Sequence, residues 1–205
     1  MDINNRRNSS FIIAGVAVLF AIILLFQWFL NDDSYLIEEK RYREQRDLFF
    51  KGEIDSPLPD SLRRDFKGLS WFDVDKKYRV VARFEKNPKF EQVKMPRSAA
   101  GPESYIRAGF LHFQMDGQDL LLTAYNPNPK DSKTLFVPFR DATSGKSTYG
   151  GGRYIDTRLS GDQVILDFNR AYNPYCVFNY EYACPIPPPE NTLDIAIEAG
   201  EKDWK

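Results

Sequence analysis

The spacing of apolar residues changes character along this chain. Residues 11–30, FIIAGVAVLFAIILLFQWFL, carry no charge, and Gln27 is their one strongly polar side chain. At ~1.5 Å of rise per residue such a run makes roughly 30 Å of helix, the thickness of a bilayer core. A cleaved signal peptide needs small residues near its cut site, and QWFLNDDSY supplies none at the right spacing. The run is therefore read as an uncleaved anchor. Residues 33–51, DSYLIEEKRYREQRDLFFK, follow helical spacing instead. Ser34 is placed to cap that helix, and Glu38, Glu39 and Glu44 alternate with bases along it. Tyr35, Leu36, Tyr42, Leu48 and Phe49 give it a ragged apolar side. The stretch 56–66, SPLPDSLRRDF, predicts a turn and then one helical turn with Pro59 at its start.

From there the pattern shortens into β-branched and aromatic runs. YRVVARFE (78–85) and TLFVPF (134–139) read as strands. YIRAGFLHFQMDGQDLLLTAY (105–125) reads as two strands around Asp116-Gly117, a strong hairpin signal. RYIDTRLSGDQVILDF (153–168) reads as a second hairpin around Ser160-Gly161, and LDIAIE (193–198) alternates with period two. The stretch 86–104 is predicted to be the least ordered. About seven short strands separated by turn signals predict a mainly β domain, an antiparallel sandwich or barrel. A transmembrane helix and a second helix precede it.

Charge sets the expected orientation. Arg6 and Arg7 precede the apolar run, and Asp32 and Asp33 follow it. Lys40, Arg41, Arg43 and Arg46 lie beyond it too, but they alternate with acids on a helix, and a large domain crosses regardless of such charges. The expectation is a single-pass protein with residues 1–10 in the cytoplasm and 11–30 as a signal anchor. Residues 32–205 then form an extracytoplasmic domain, periplasmic in a cell with an outer membrane. Removing Arg6 and Arg7 from the 28 bases and Asp2 from the 29 acids leaves 26 and 28, a balance of −2. No basic patch stands out, so nucleic acid is not an expected partner.

Candidate chemistry concentrates in two stretches. The first, FRDATSGKSTYGGGRY (139–154), contains SGKST, yet a phosphate loop needs Gly five positions before Gly145 and Arg140 stands there. It also needs a following helix, which Tyr149-Gly-Gly-Gly opposes. Gly150, Gly151 and Gly152 either permit a bulge or close backbone approach, or turn N–H groups toward an anion beside Arg153. In the second, DFNRAYNPYCVFNYEYACPIPPPEN (167–191), Asp167, Asn169, Arg170 and Asn173 sit among aromatic rings. Such residues form a buried network or a binding site, and both demand hydrogen-bond partners. PIPPP reads as a stiff extended arm. Cys176 and Cys184, the only cysteines, are eight apart and are read as a disulfide outside the cytoplasm. One histidine and two cysteines fall short of a zinc site, no cofactor is implied, and His112 reads as structural within its strand.

LFVPFRDATSGKSTYGGGRYID, followed by DFNRAYNPYCVFNYEYACPIPPPEN and AGEK, resembles the prokaryotic domain-of-unknown-function family numbered 1684. RDLFFK, SPLP, FKGLSWFDVDKKYRVVARFE and LHF are similar to its earlier blocks, so the likeness spans about residues 40–202. Members of that family often carry export signals, which agrees with a domain outside the cytoplasm. The resemblance implies no reaction, substrate or cofactor. Similar sequences often have alanine where Gly151 stands, which makes a three-glycine anion nest less essential.

These readings place the candidate ligand-binding residues at Arg140, Asp141, Tyr149, Gly151, Arg153, Asp167, Asn169, Arg170 and Asn173. The expected function is a membrane-anchored binding or assembly module, taking a protein partner or a small anionic ligand. The alternative is an anchored hydrolase, with Asp141 or Asp167 as base and Arg153 or Arg170 holding an anionic group.

Overall fold

The computed structural model describes residues 18, 20, 34–52, 55–128 and 130–204. The expected anchor at 11–30 lies outside these residues except for Val18 and Phe20, which are helical, and the expected cytoplasmic segment 1–10 lies wholly outside them. Among the described residues no helix is long and apolar enough to cross a membrane. The chain divides into two compact units, Met1–Tyr42 and Arg43–Lys205. Residues 34–51 form helix α1, which the division interrupts, and Asp60–Arg63 form the single turn α2 behind Pro59.

The second unit is built on seven strands: β1 Arg79–Lys86, β2 Gln92–Met95, β3 Glu103–Met115, β4 Gln118–Asn126, β5 Thr134–Phe139, β6 Arg153–Ser160 and β7 Gln163–Asp167. β3 to β7 run as an antiparallel meander. β1 pairs with both β7 and β3, so six strands close into a barrel. β3 is long enough to serve two partners: Gly109–His112 pair with β1, and Glu103–Ile106 pair with β2. Closure resolves the expected choice between sandwich and barrel, and among the described residues it leaves the short β2 as the edge strand.

Period-two alternation fills the interior. Ala82, Leu111, Phe113, Leu122, Leu135, Val137, Ile155, Val164 and Leu166 are buried together, while their strand neighbours face outward. Asp116 and Gly117 turn the β3–β4 hairpin with φ of 50° and 75°, the left-handed pair that a two-residue turn needs. The seam between β1 and β3 requires Gly109. A Cβ there would lie 2.3 Å from the Glu85 carbonyl oxygen, and β3 carries a bulge between Arg107 and Gly109 at that point. A second cluster outside the barrel joins Phe50 near the end of α1 to Phe66 and Phe178, at ring separations of 5.9 and 4.7 Å.

One ladder is completed by a side chain. Tyr125 pairs with Phe136, a register that sets Thr123 opposite Pro138. Pro138 has no N–H to offer. The Asn191 amide enters the gap: its Oδ1 accepts from Thr123 N–H at 2.7 Å, and its Nδ2 donates to the Thr123 and Pro138 carbonyls at 2.9 and 2.7 Å. Asn191 is fully buried, with its side chain in place of a missing backbone partner.

Two expectations are corrected. The stretch 86–104 is not irregular throughout, because Gln92–Met95 pair with the extra length of β3. Residues 193–198 are not a strand. Their alternation is real, for Leu193 and Ile197 are buried, but their backbone groups are met piecemeal: Leu193 N–H donates to the Arg140 carbonyl, the Ile195 carbonyl accepts Ala142 N–H, and both backbone groups of Ile197 meet the Arg153 and Asp141 side chains.

Candidate functional site

Antiparallel pairing gives the barrel two distinct ends. β1, β4 and β6 finish at one end, where β5 and β7 begin. The opposite end gathers the start of β6 and the exits of β5 and β7, and with them most of the predicted site residues.

Arg153, the first residue of β6, is 1% exposed. Its Nη2 donates to Asp141 Oδ2 at 2.8 Å and to the Ile197 carbonyl at 2.9 Å. Its Nη1 donates to the Ala199 carbonyl and, at 3.3 Å, to the Glu201 carbonyl. The guanidinium therefore grips three alternate carbonyls of the C-terminal tail and one carboxylate. Asp141 completes the set: Oδ2 accepts Ile197 N–H at 3.2 Å, and Oδ1 accepts Thr143 N–H at 2.9 Å and the Thr143 hydroxyl at 2.5 Å. Burial pulls the Arg153 pKa below its ordinary value, and the Asp141 carboxylate opposes that pull.

Asn173 joins through the tail. Its N–H donates to Glu201 Oε2 and its Nδ2 to the Lys202 carbonyl, at 2.8 and 2.7 Å, while its Oδ1 is buried without a partner among the described residues. Arg46 Nη2 reaches Glu201 Oε1 at 2.8 Å. Burial pushes the Glu201 carboxyl up from its ordinary range, against the pull of Arg46. Arg46, Glu201 and Asn191 escaped the sequence reading, because nothing in their local spacing marks their distant partners.

The remaining predicted residues have separate duties. Asp167 caps the short 3-10 turn Phe168–Arg170 by accepting Asn169 N–H at 3.1 Å, and it faces Arg79 Nε at 3.4 Å. The Asn169 amide pairs with both backbone groups of Asp75, at 3.0 and 2.9 Å. Arg170 is half-buried in that turn. Arg140 reaches the Pro187 carbonyl with Nη1 at 3.4 Å. Tyr149 is half-buried, and a Cβ on Gly151 would meet its ring at 2.3 Å. The close approach belongs to Gly152, with φ of 94° and the Phe139 carbonyl 2.5 Å from where a Cβ would sit. Gly152 N–H donates to the Tyr149 carbonyl at 3.1 Å, so that amide of the triple glycine closes a turn.

The other end of the barrel is open. A cavity of about 460 Å³ lies there, lined by Phe84, Phe90, Ile106, Ala108 and Leu159, with Lys86, Asn87, Lys89, Arg107, Asn126 and Ser132 among its other walls. Lys86 continues the inward series Ala82, Phe84, and Asn126 continues Leu122, Ala124. Inward alternation in a short β1 strand ending in lysine is the signal that could have disclosed this cavity. Arg107 is paired, with Glu190 at 3.1 Å and Glu91 at 3.6 Å.

A family model for a protein of unknown function, DUF1684, matches residues 64–202, which covers the barrel strands and the tail. The chain belongs to the DUF1684 family. Among curated proteins no relative matches it. An uncharacterized protein of Haloarcula marismortui, solved by solution NMR, is similar in structure, with a TM-score of 0.67 and 38% identity. The match covers 84% of this chain and 96% of that one.

Within this DUF1684 chain the cysteines depart from expectation. Cys176 and Cys184 are free thiols, not a disulfide. The 3-10 turn Tyr175–Val177 presents the Cys176 N–H to Cys184 Sγ at 3.2 Å, and Cys184 N–H donates to Ser98 Oγ at 3.1 Å. A hydrogen bond from the Cys184 thiol, helped by Ser98 and Tyr149, holds the Cys176 thiol down at about 6, while the Cys184 thiol is pushed up.

Proposed function

We propose that this chain is a binding module, held at a membrane by residues 11–30 with its barrel outside the cytoplasm, and that it takes a small apolar ligand into the open end of the barrel. The observation that carries this reading is the cavity of about 460 Å³ floored by Phe84, Ile106, Ala108 and Leu159. Its size falls in the range of small-molecule sites, roughly 300–1,000 Å³, and its lining joins apolar residues to polar ones, Lys86, Asn87, Lys89, Arg107, Asn126 and Ser132. The anchor rests on the uncharged run 11–30 and its flanking charges.

The hydrolase reading has less support. Arg153 and Asp141, two groups it would use, are occupied by each other and by the tail at residues 197–201. Asp167 likewise caps its own turn.

Two measurements test the module. A neutral fluorescent probe, N-phenyl-1-naphthylamine, should brighten with the full chain in neutral lipid discs and lose that signal in Ala108→Trp, which fills the cavity. Equal brightening in both proteins would remove the cavity as the site. For the anchor, a cysteine placed at Lys89 should react with an impermeant maleimide in intact cells. Reaction only after lysis would reverse the orientation.

A further inference from the structure

We infer that the ligand of the open barrel end is a single-chain anionic amphiphile, a long-chain carboxylate whose tail enters the barrel and whose head rests at Lys86 and Lys89. The inference rests on the cavity reading above and adds the chemistry of its occupant.

Charge distribution at the rim points that way. Most acids near this end already have partners; Asp162, in the turn between β6 and β7 beside Phe84, forms no ion pair among the described residues. Asp131 is paired with Arg158 at 2.8 Å and receives the Thr134 hydroxyl at 2.8 Å. Glu91 accepts from Asn87 Nδ2 at 3.2 Å and faces Arg107 at 3.6 Å, and Glu190 holds the other side of Arg107. Lys86 and Lys89 line the cavity, are exposed, and form no ion pair among the described residues. Two ammonium groups thus stand at the lip of the cavity without an ion pair among the described residues.

Position matters as much as sign. Lys86 occupies the inward register of β1, one step beyond Phe84. Its apolar stem continues the wall while its ammonium group reaches water, as long basic side chains do at an apolar boundary. A ligand with its tail against Phe84, Ala108 and Leu159 therefore carries its polar end past Lys86. A cationic head would meet two like charges there, and a neutral head would leave both ammonium groups unmatched. Phe90, 82% exposed beside Lys89, adds an apolar lip for the methylenes next to the head.

The experiment is photolabelling of the full chain in neutral lipid discs with a diazirine-bearing palmitate, followed by peptide mass spectrometry. Labelling should fall on peptides containing Phe84, Ile106 or Leu159. Unlabelled laurate should compete, and dodecyltrimethylammonium should not. The double variant K86Q/K89Q should reduce labelling by about fivefold, the scale of contacts between half-exposed charges. K86R/K89R should restore it. Melting curves of both lysine variants should match the parent, since these residues are exposed. If the matching diazirine alcohol labels the same peptides equally well and K86Q/K89Q changes nothing, the cavity reading stands and the anionic head is overturned. If neither probe labels those peptides, the cavity reading itself falls. Labelling that survives Ala108→Trp would assign the probe to the disc surface and overturn both.

Discussion

The two ends of this barrel handle polar groups in opposite ways. At one end a guanidinium, two carboxylates and several amides are buried and tied to each other and to backbone. At the other, two lysines line a cavity with apolar and polar walls and have no ion-pair partner among the described residues. Both ends are rich in charge, yet only one leaves charge for something else to meet. Polar residues gathered by a fold are therefore not a site unless some of their bonding capacity is left over. Here the denser cluster is the plug, and the sparser one faces solvent.

The sharpest way to break this comparison is Arg153→Met. Removing one partner of a buried pair leaves Asp141 without its ion-pair partner and three tail carbonyls with fewer donors, at a cost of about 3–5 kcal/mol. Urea unfolding should show it. A loss below about 1 kcal/mol would mean the plug is not structural. Asn191→Ala should come next, at roughly 2–3 kcal/mol, because it orphans buried groups on Thr123 and Pro138. Hydrogen exchange at the Thr123 amide should accelerate with it.

Substitutions at the open end should cost little, and Gly109→Ala is the instructive exception. Its Cβ would collide with the Glu85 carbonyl at the β1–β3 seam, so a loss of about 1–3 kcal/mol is expected. Phe90→Ser and Lys86→Gln should stay within about 0.5 kcal/mol in the same assay.

The smallest effects are titrations. Cys176 should react with iodoacetamide along a pH profile centred near 6, and Cys184→Ala should move that midpoint upward. An unchanged midpoint would remove the Cys184 thiol as its cause. At the open end, hydrogen bonds from Thr134 and Arg158 hold the Asp131 carboxyl at about 2. A carboxyl depressed on folding stabilises the protein above its unfolded value, and that contribution disappears as pH falls toward 2. Carbon-detected NMR of the Asp131 carboxyl should show the low midpoint, and Arg158→Gln should raise it.

Local patterns reached as far as local causes do. The Asp116–Gly117 turn and the strand at 134–139 were legible because residue type and alternation set them directly. The run LDIAIE was misleading for a physical reason. Its alternation reports which side chains are buried, not which groups satisfy the backbone, and its partners are the backbone of Arg140 and Ala142 and the side chains of Arg153 and Asp141, far away in sequence. The polar residues of 140–173 were singled out by composition, but a paired network and an open site use the same residue types. The cavity went unread because Phe84, Ile106, Ala108 and Leu159 look like ordinary strand residues.

The way the barrel closes also bears on its synthesis. Its first strand finds one neighbour in β3 but the other only in β7, and Arg79 pairs with Asp167. The tail that Arg153 grips follows later still, at residues 197–201. On a ribosome, β1 must therefore wait beside the half-made meander with one flank bare, exposed to pairing with a neighbouring chain. Such non-local closure slows folding, and it makes the emergence of residues 197–201 the event that seals the barrel. Chains stopped short of residue 197 should accumulate as aggregates, even though every strand has been made.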